Sequence, residues 1–117
     1  MEIRQRAGRA ELVLEAKRIG NDYSLALTGG SEHVGAVAVG NFDEKSGRAT
    51  ASVITLPGHR EESIAIEGAR RISQATRTST VLTVGIHLDN ISVDEISQVV
   101  SVSGQMIDRF IASLERD

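Results

Sequence analysis

The chain has no cysteine, no tryptophan and a single proline among its 117 residues. Without thiols it can form neither a disulfide nor a thiolate metal site, and nothing in it points to an oxidising compartment. Aromatic residues make up only 3%. A binder of single-stranded nucleic acid usually carries stacking aromatics, and a phosphate-backbone binder usually carries a basic face. Here the net charge is −3 and the two signs are interspersed, which argues against nucleic acid as a partner. No run approaches the ~18 apolar residues of a membrane helix, and the charged start Met1-Glu2-Ile3-Arg4-Gln5-Arg6 lacks the apolar core of a leader peptide. A cytoplasmic protein with no membrane partner is the expectation. With 40% hydrophobic residues, one globular domain over 1–117 is expected.

What is present has a clear period. Ala10, Leu12, Leu14 and Ala16 alternate with Glu11, Val13, Glu15 and Lys17, the signature of a half-buried strand. Gly20-Asn21-Asp22 is turn chemistry, and Tyr23, Leu25 and Leu27 resume the alternation. A third strand is predicted from His33 to Gly40, and a fourth from about Arg48 to Leu56, ended by Pro57-Gly58. Four consecutive antiparallel strands are the simplest arrangement. The period then lengthens: over 61–76, Ile64, Gly68, Ala69, Ile72 and Ala75 share a helical face. Thr80 to Ile86 is a β-branched run that predicts a strand. Ser92-Val93-Asp94-Glu95 is a capping box, followed by Ile96, Val100, Ser103, Ile107, Phe110 and Leu114 at helical intervals.

The predicted order is therefore ββββαβα, an α+β domain with a mainly antiparallel sheet and two helices on one face. If the fifth strand lies beside the fourth, it is an edge strand, and Val13, Val37, Val39 and Ile54 face the uncovered side; the alternative is that it inserts centrally and loops cover that face. An apolar face or edge of that kind marks a protein contact, so a homo-oligomer is expected.

All three histidines sit beside a glycine and an acidic residue at the end of an apolar run. The third and fourth predicted strands form a hairpin, and the helix between the fourth and fifth makes those two parallel. His33, His59 and His87 should then gather at one edge of the sheet, where both helices also begin and where Gly29, Gly30, Gly58 and Gly85 would let backbone approach a ligand. One chemistry for such a cluster is a divalent metal held by His33, His59 and His87, with Asp89 or Glu62, in a metal-dependent hydrolase. No tight ligand pair such as H-E-x-x-H accompanies it.

Another is a phosphorylated planar molecule, with Arg60 and the N–H groups after Gly58 on the anion. A third is an assembly protein whose histidine edge is a subunit contact. No serine-nucleophile elbow, P-loop or dinucleotide fingerprint occurs. Each residue also has a structural use. A strand-end histidine can bond a loop carbonyl, Arg60 can pair with Glu61 or Glu62, Asp89-Asn90 can form a turn into the Ser92 cap, and the helix-start glutamates can be ordinary first-turn residues.

The segments His33-Val34-Gly35-Ala36-Val37-Ala38, Pro57-Gly58-His59-Arg60-Glu61-Glu62 and Gly85-Ile86-His87-Leu88-Asp89-Asn90-Ile91-Ser92 occur in that order. Through them the chain resembles, over nearly its whole length, the small LpdD-like family of prenylated-flavin chaperones, accessory to UbiD-type decarboxylases. The resemblance implies a protein that binds prenylated FMN, or FMN, and assists its delivery or oxidative maturation rather than turning over a substrate alone. It places the cofactor contacts on His33, Gly58, His59, Arg60, His87, Asp89 and Asn90 and assigns no catalytic residue. With so few aromatics, an isoalloxazine would rest on aliphatic, histidine or backbone surfaces.

Overall fold

In the computed structural model, which describes residues 1–57 and 61–114, the elements are β1 (Glu2–Ala7), β2 (Ala10–Ile19), β3 (Asp22–Gly30), β4 (Ala36–Asp43), β5 (Arg48–Thr55), α1 (Glu62–Thr76), β6 (Thr80–His87) and α2 (Val93–Leu114). The strands read from the alternation are β2 to β5, and the β-branched run is β6. β1 is an addition to the expected order. Only Ile3 and Ala7 are buried in it, while Glu2, Arg4 and Arg6 are exposed. Two apolar residues in six are a thin signal, yet a charged strand suits a sheet edge because it discourages further pairing.

The six strands lie in the order β1-β2-β3-β6-β4-β5. β2–β3 and β4–β5 are antiparallel hairpins, as read. The expected run of four neighbouring antiparallel strands breaks between β3 and β4, because β6 inserts there, parallel to β3 and antiparallel to β4. β6 is thus central, not an edge. Its sequence explains why: Leu82 and Val84 are fully buried on one face while Val81 and Thr83 are half-buried on the other. Pairing on both sides satisfies the backbone that an edge position would leave open.

This insertion has a local consequence. To pass from β3 to β4 the chain must cross the end of β6. Ser31 N–H donates to the His87 carbonyl at 3.1 Å, and Gly35 N–H donates to the Val84 carbonyl at 2.9 Å. Between them the His33 backbone lies directly on Gly85, where a Cβ would collide with the His33 carbonyl. At Gly30, φ is 64° and a Cβ would strike the His87 carbonyl. Gly30 and Gly85 therefore make room for the protein's own chain. That corrects the expectation that they clear space for a ligand.

One face of the sheet is covered by both helices. Leu12, Leu14, Leu25, Leu27, Leu82 and Val84 meet Ala65, Ala69 and Ile72 of α1 and Val99, Met106, Ile107 and Phe110 of α2 in a single buried cluster. Gly68 allows the close approach, since a Cβ there would clash with Leu82 and Ile107. Of the expected helical stripes, Gly68, Ala69 and Ile72 of α1 and Ser103, Ile107 and Phe110 of α2 are buried, and the departures are few. Ala75 is exposed, and Ile96 and Val100 are 42% and 48% exposed, because Val99, Ser103, Met106 and Phe110 take the sheet-facing side of α2. Among the described residues no helix is long and apolar enough to cross a membrane.

The capping box forms in both directions: Ser92 N–H donates to Glu95 Oε1 at 3.0 Å, and Glu95 N–H donates to Ser92 Oγ at 3.1 Å. Arg9, in the β1–β2 turn, donates to Glu95 Oε2 at 2.5 Å and to the Asp89 carbonyl at 2.6 Å. The Arg9 guanidinium, helped by the Ser92 N–H, holds the Glu95 carboxyl down from 4.5 to about 2. A depressed carboxyl stabilises the fold above its unfolded value, and that contribution fades as pH falls from about 4.5 through about 2. Glu95→Gln, which can still cap, should therefore melt below the wild type at neutral pH. Melting scans should show the gap closing by about pH 2, and an undiminished gap there would contradict the pairing.

Candidate functional site

The start of β4, the end of β5, the end of β6 and the first turns of both helices lie at one edge of the sheet. The crossing segment brings His33 there, and the end of β6 brings His87. Their rings meet edge to face with centroids 6.3 Å apart. Two of the three histidines are thus together, as the directions of the strands require. The third, His59, lies outside the described residues, as do Gly58 and Arg60.

His33 Nδ1 lies 3.0 Å from the Ser31 carbonyl oxygen and Nε2 lies 3.1 Å from Glu61 Oε1. The carbonyl can only accept, so Nδ1 carries a hydrogen. A neutral imidazole has no second N–H. For the Nε2 contact to be a hydrogen bond as well, one hydrogen must lie between Nε2 and Glu61 Oε1, held by the pair. Its side chains are only 22% and 10% exposed, which favours such pairing over two separate charges.

Glu61 is the N-cap residue of α1, but its side chain makes no cap hydrogen bond. It turns instead to His33 and packs against Gly35, where a Cβ would overlap the carboxylate. From the sequence, the glutamates at this helix start are expected to be ordinary first-turn residues. For Glu61 that is corrected here: it is buried and part of the site. The available signal was its position directly after His59-Arg60, in a motif already placed at the histidine edge.

His87 Nε2 lies 3.1 Å from Asp89 Oδ1, in a pair that is 54% and 90% exposed. Exposed pairs of this kind hold little energy, so the contact orients the ring more than it stabilises the fold. Asn90 is exposed, with φ 52°, and makes the tight turn between β6 and the Ser92 cap. Asp89 and Asn90 therefore serve the turn, and Arg9 fixes it by donating to the Asp89 carbonyl.

Beside these groups is a cavity of about 400 Å³ whose rim includes Glu61 and His87. Its walls are Ile64 of α1, Ile86 and Leu88, and Ile91, Ile96 and Val100 at the α2 end. Ile91, Ile96 and Val100 are 36%, 42% and 48% exposed, an unusual amount of aliphatic surface for solvent to hold. A cavity of about 450 Å³ on the opposite sheet face is lined by Glu2, Glu15 and Lys17 among others and contains no histidine. Apolar walls with few convergent polar groups are what small-molecule sites usually have. Among the described residues no group of three or more His, Asp or Glu is placed to hold a metal ion.

No curated protein is significantly similar to the chain. Among solved structures, one titled as a novel chaperone complex for yeast 20S proteasome assembly superposes with a TM-score of 0.61 over 97% of each chain, at 12% identity. At that identity the likeness is one of fold. A model of the prenylated flavin chaperone LpdD-like domain matches residues 6–115. With nearly its full length matched, and with the histidine edge built as described, the chain belongs to the prenylated flavin chaperone LpdD-like family.

Proposed function

We propose that this chain binds prenylated FMN at the histidine edge and holds it for a UbiD-type decarboxylase, as a cofactor chaperone and not as an enzyme. The observation that carries this reading is the aliphatic cavity of about 400 Å³ with Glu61 and His87 at its rim. That volume is within the roughly 300–1,000 Å³ of small-molecule sites. The ring system fits such walls: its apolar body covers Ile91, Ile96 and Val100, and its polar edge meets the few polar groups. Asp89, Asp94 and Glu95 make the α2 start acidic, so the phosphate belongs instead with Arg60 and the N–H groups after Gly58. Few strong anchors also suit a carrier, which must release what it binds.

Reconstitution tests the chaperone role. Apo-decarboxylase given prenylated FMN should gain activity faster, or to a higher level, with this protein present. Equal gains with and without it would contradict the proposal.

The uncovered sheet face supports self-association as the accompanying state. From β3 to β5 its central rows carry Ala26, Thr28, Val81, Thr83, Val37, Val39, Ser52 and Ile54, with no charge among them. Val39 is 49% and Ile54 72% exposed. Charged side chains lie on β1 and β2 and at the strand ends Asp22, Asp43 and Arg48, so the neutral patch between them suits a second copy of itself about a twofold axis. Light scattering at micromolar concentration should give a dimer mass or larger, and Ile54→Lys should reduce it. A monomer mass for the wild type would exclude this face as a self-contact.

A further inference from the structure

Among the described residues, one side-chain atom at the cavity lacks a partner. Glu61 is 8% exposed, its Oε1 faces His33, and its Oε2 is buried with no hydrogen bond. A buried carboxylate oxygen left unpaired is costly, and such atoms are rare enough to need a reason. The surroundings are built for this carboxylate on two sides. His33 comes from the crossing segment, and Gly35 leaves the space that a Cβ would fill. Helix capping does not account for it, since the side chain makes no cap hydrogen bond. What remains unmatched is a hydrogen-bond donor arriving from the cavity that Glu61 lines.

We propose that Glu61 recognises the ligand, with Oε2 accepting a ring N–H of imide type while Oε1 stays on His33. The terminal torsion of a glutamate is broad, so a small rotation presents Oε2 to the cavity without breaking the His33 contact. The inference rests on the flavin reading and deepens it. An oxidised isoalloxazine has a single ring N–H, at N3 between two carbonyls, and the reduced ring keeps it. An acceptor there holds the ring in either redox state. His33 supports this arrangement by keeping Oε1 paired, so that only Oε2 is left to accept from the ligand.

The test compares FMN with FMN methylated at N3, titrated into wild type and Glu61→Leu while flavin fluorescence is followed. Leucine has nearly the same size and no oxygen, so it cannot accept the N3–H in any orientation, whereas a glutamine could still turn its oxygen to the cavity. Wild type should prefer FMN over the N3-methyl form by on the order of tenfold to hundredfold, the usual range for a bond to a charged partner. Glu61→Leu should bind FMN weakly and show no preference. Equal wild-type binding of the two flavins would overturn the role of Glu61 while leaving the flavin site standing, and so would undiminished FMN binding by a folded Glu61→Leu. If FMN itself does not bind, ring recognition at this cavity fails and the inference fails with it. Should the variant not fold, the wild-type preference decides alone.

Discussion

A single methyl group added at position 85 is expected to destabilise the protein by roughly 1–3 kcal/mol and to weaken flavin binding at least about tenfold. Gly85 lies under the His33 backbone, and a Cβ there collides with the His33 carbonyl, which is main chain and cannot rotate away. Either β6 bends or the crossing segment lifts. Both segments are tied by backbone hydrogen bonds, Ser31 to His87 and Gly35 to Val84, so any shift moves His33 relative to Glu61. Stability and site should therefore fail together in Gly85→Ala. Thermal denaturation beside a flavin titration checks this. A variant with wild-type melting and affinity would mean that the segment does not cross where the fold requires.

The second large effect is expected at Phe110, where alanine should cost about 3–5 kcal/mol. Phe110 is 1% exposed and stands edge-on to Tyr23 of β3, with ring centroids 5.6 Å apart. It is the largest fully buried side chain and anchors α2 to the sheet. A domain of this size has a stability on the order of 5–15 kcal/mol, so the variant should unfold at a much lower urea concentration. A loss below about 1 kcal/mol would show that α2 does not depend on this contact.

Legibility in the sequence followed the range of each interaction. The β2–β3 and β4–β5 hairpins and the Ser92–Glu95 box are set by residues close along the chain, and each was visible as alternation, turn chemistry or cap spacing. The pairing of β3 with β6 joins residues more than fifty positions apart, such as Leu25 with Leu82, and no local pattern encodes it. The one clue was that Val81, Leu82, Thr83 and Val84 are apolar or β-branched on both faces, which suits a central strand. β1 leaves little trace in the sequence because its exposed face is charged and its buried face has only Ile3 and Ala7.

The meeting of His33 and His87 was nevertheless predictable. It depends on which way the strands run, not on which strand lies beside which, so it survives the insertion of β6. Glu61 was not legible in the same way. First-turn glutamates are common, and only the side chain's turn toward His33 distinguishes this one. Ile96 and Val100 had the spacing of core residues, and their exposure beside the cavity became visible only once Val99, Met106 and Phe110 had taken the sheet-facing side.

Titrating the purified protein with prenylated FMN, with flavin absorbance followed and the mixture then passed through gel filtration, tests the central claim most directly. A saturable spectral change near one flavin per chain is expected, with the cofactor retained through the column and lost in a folded His33→Ala variant. An unchanged spectrum, with all flavin eluting free of protein, would contradict the assignment of this edge as a cofactor site.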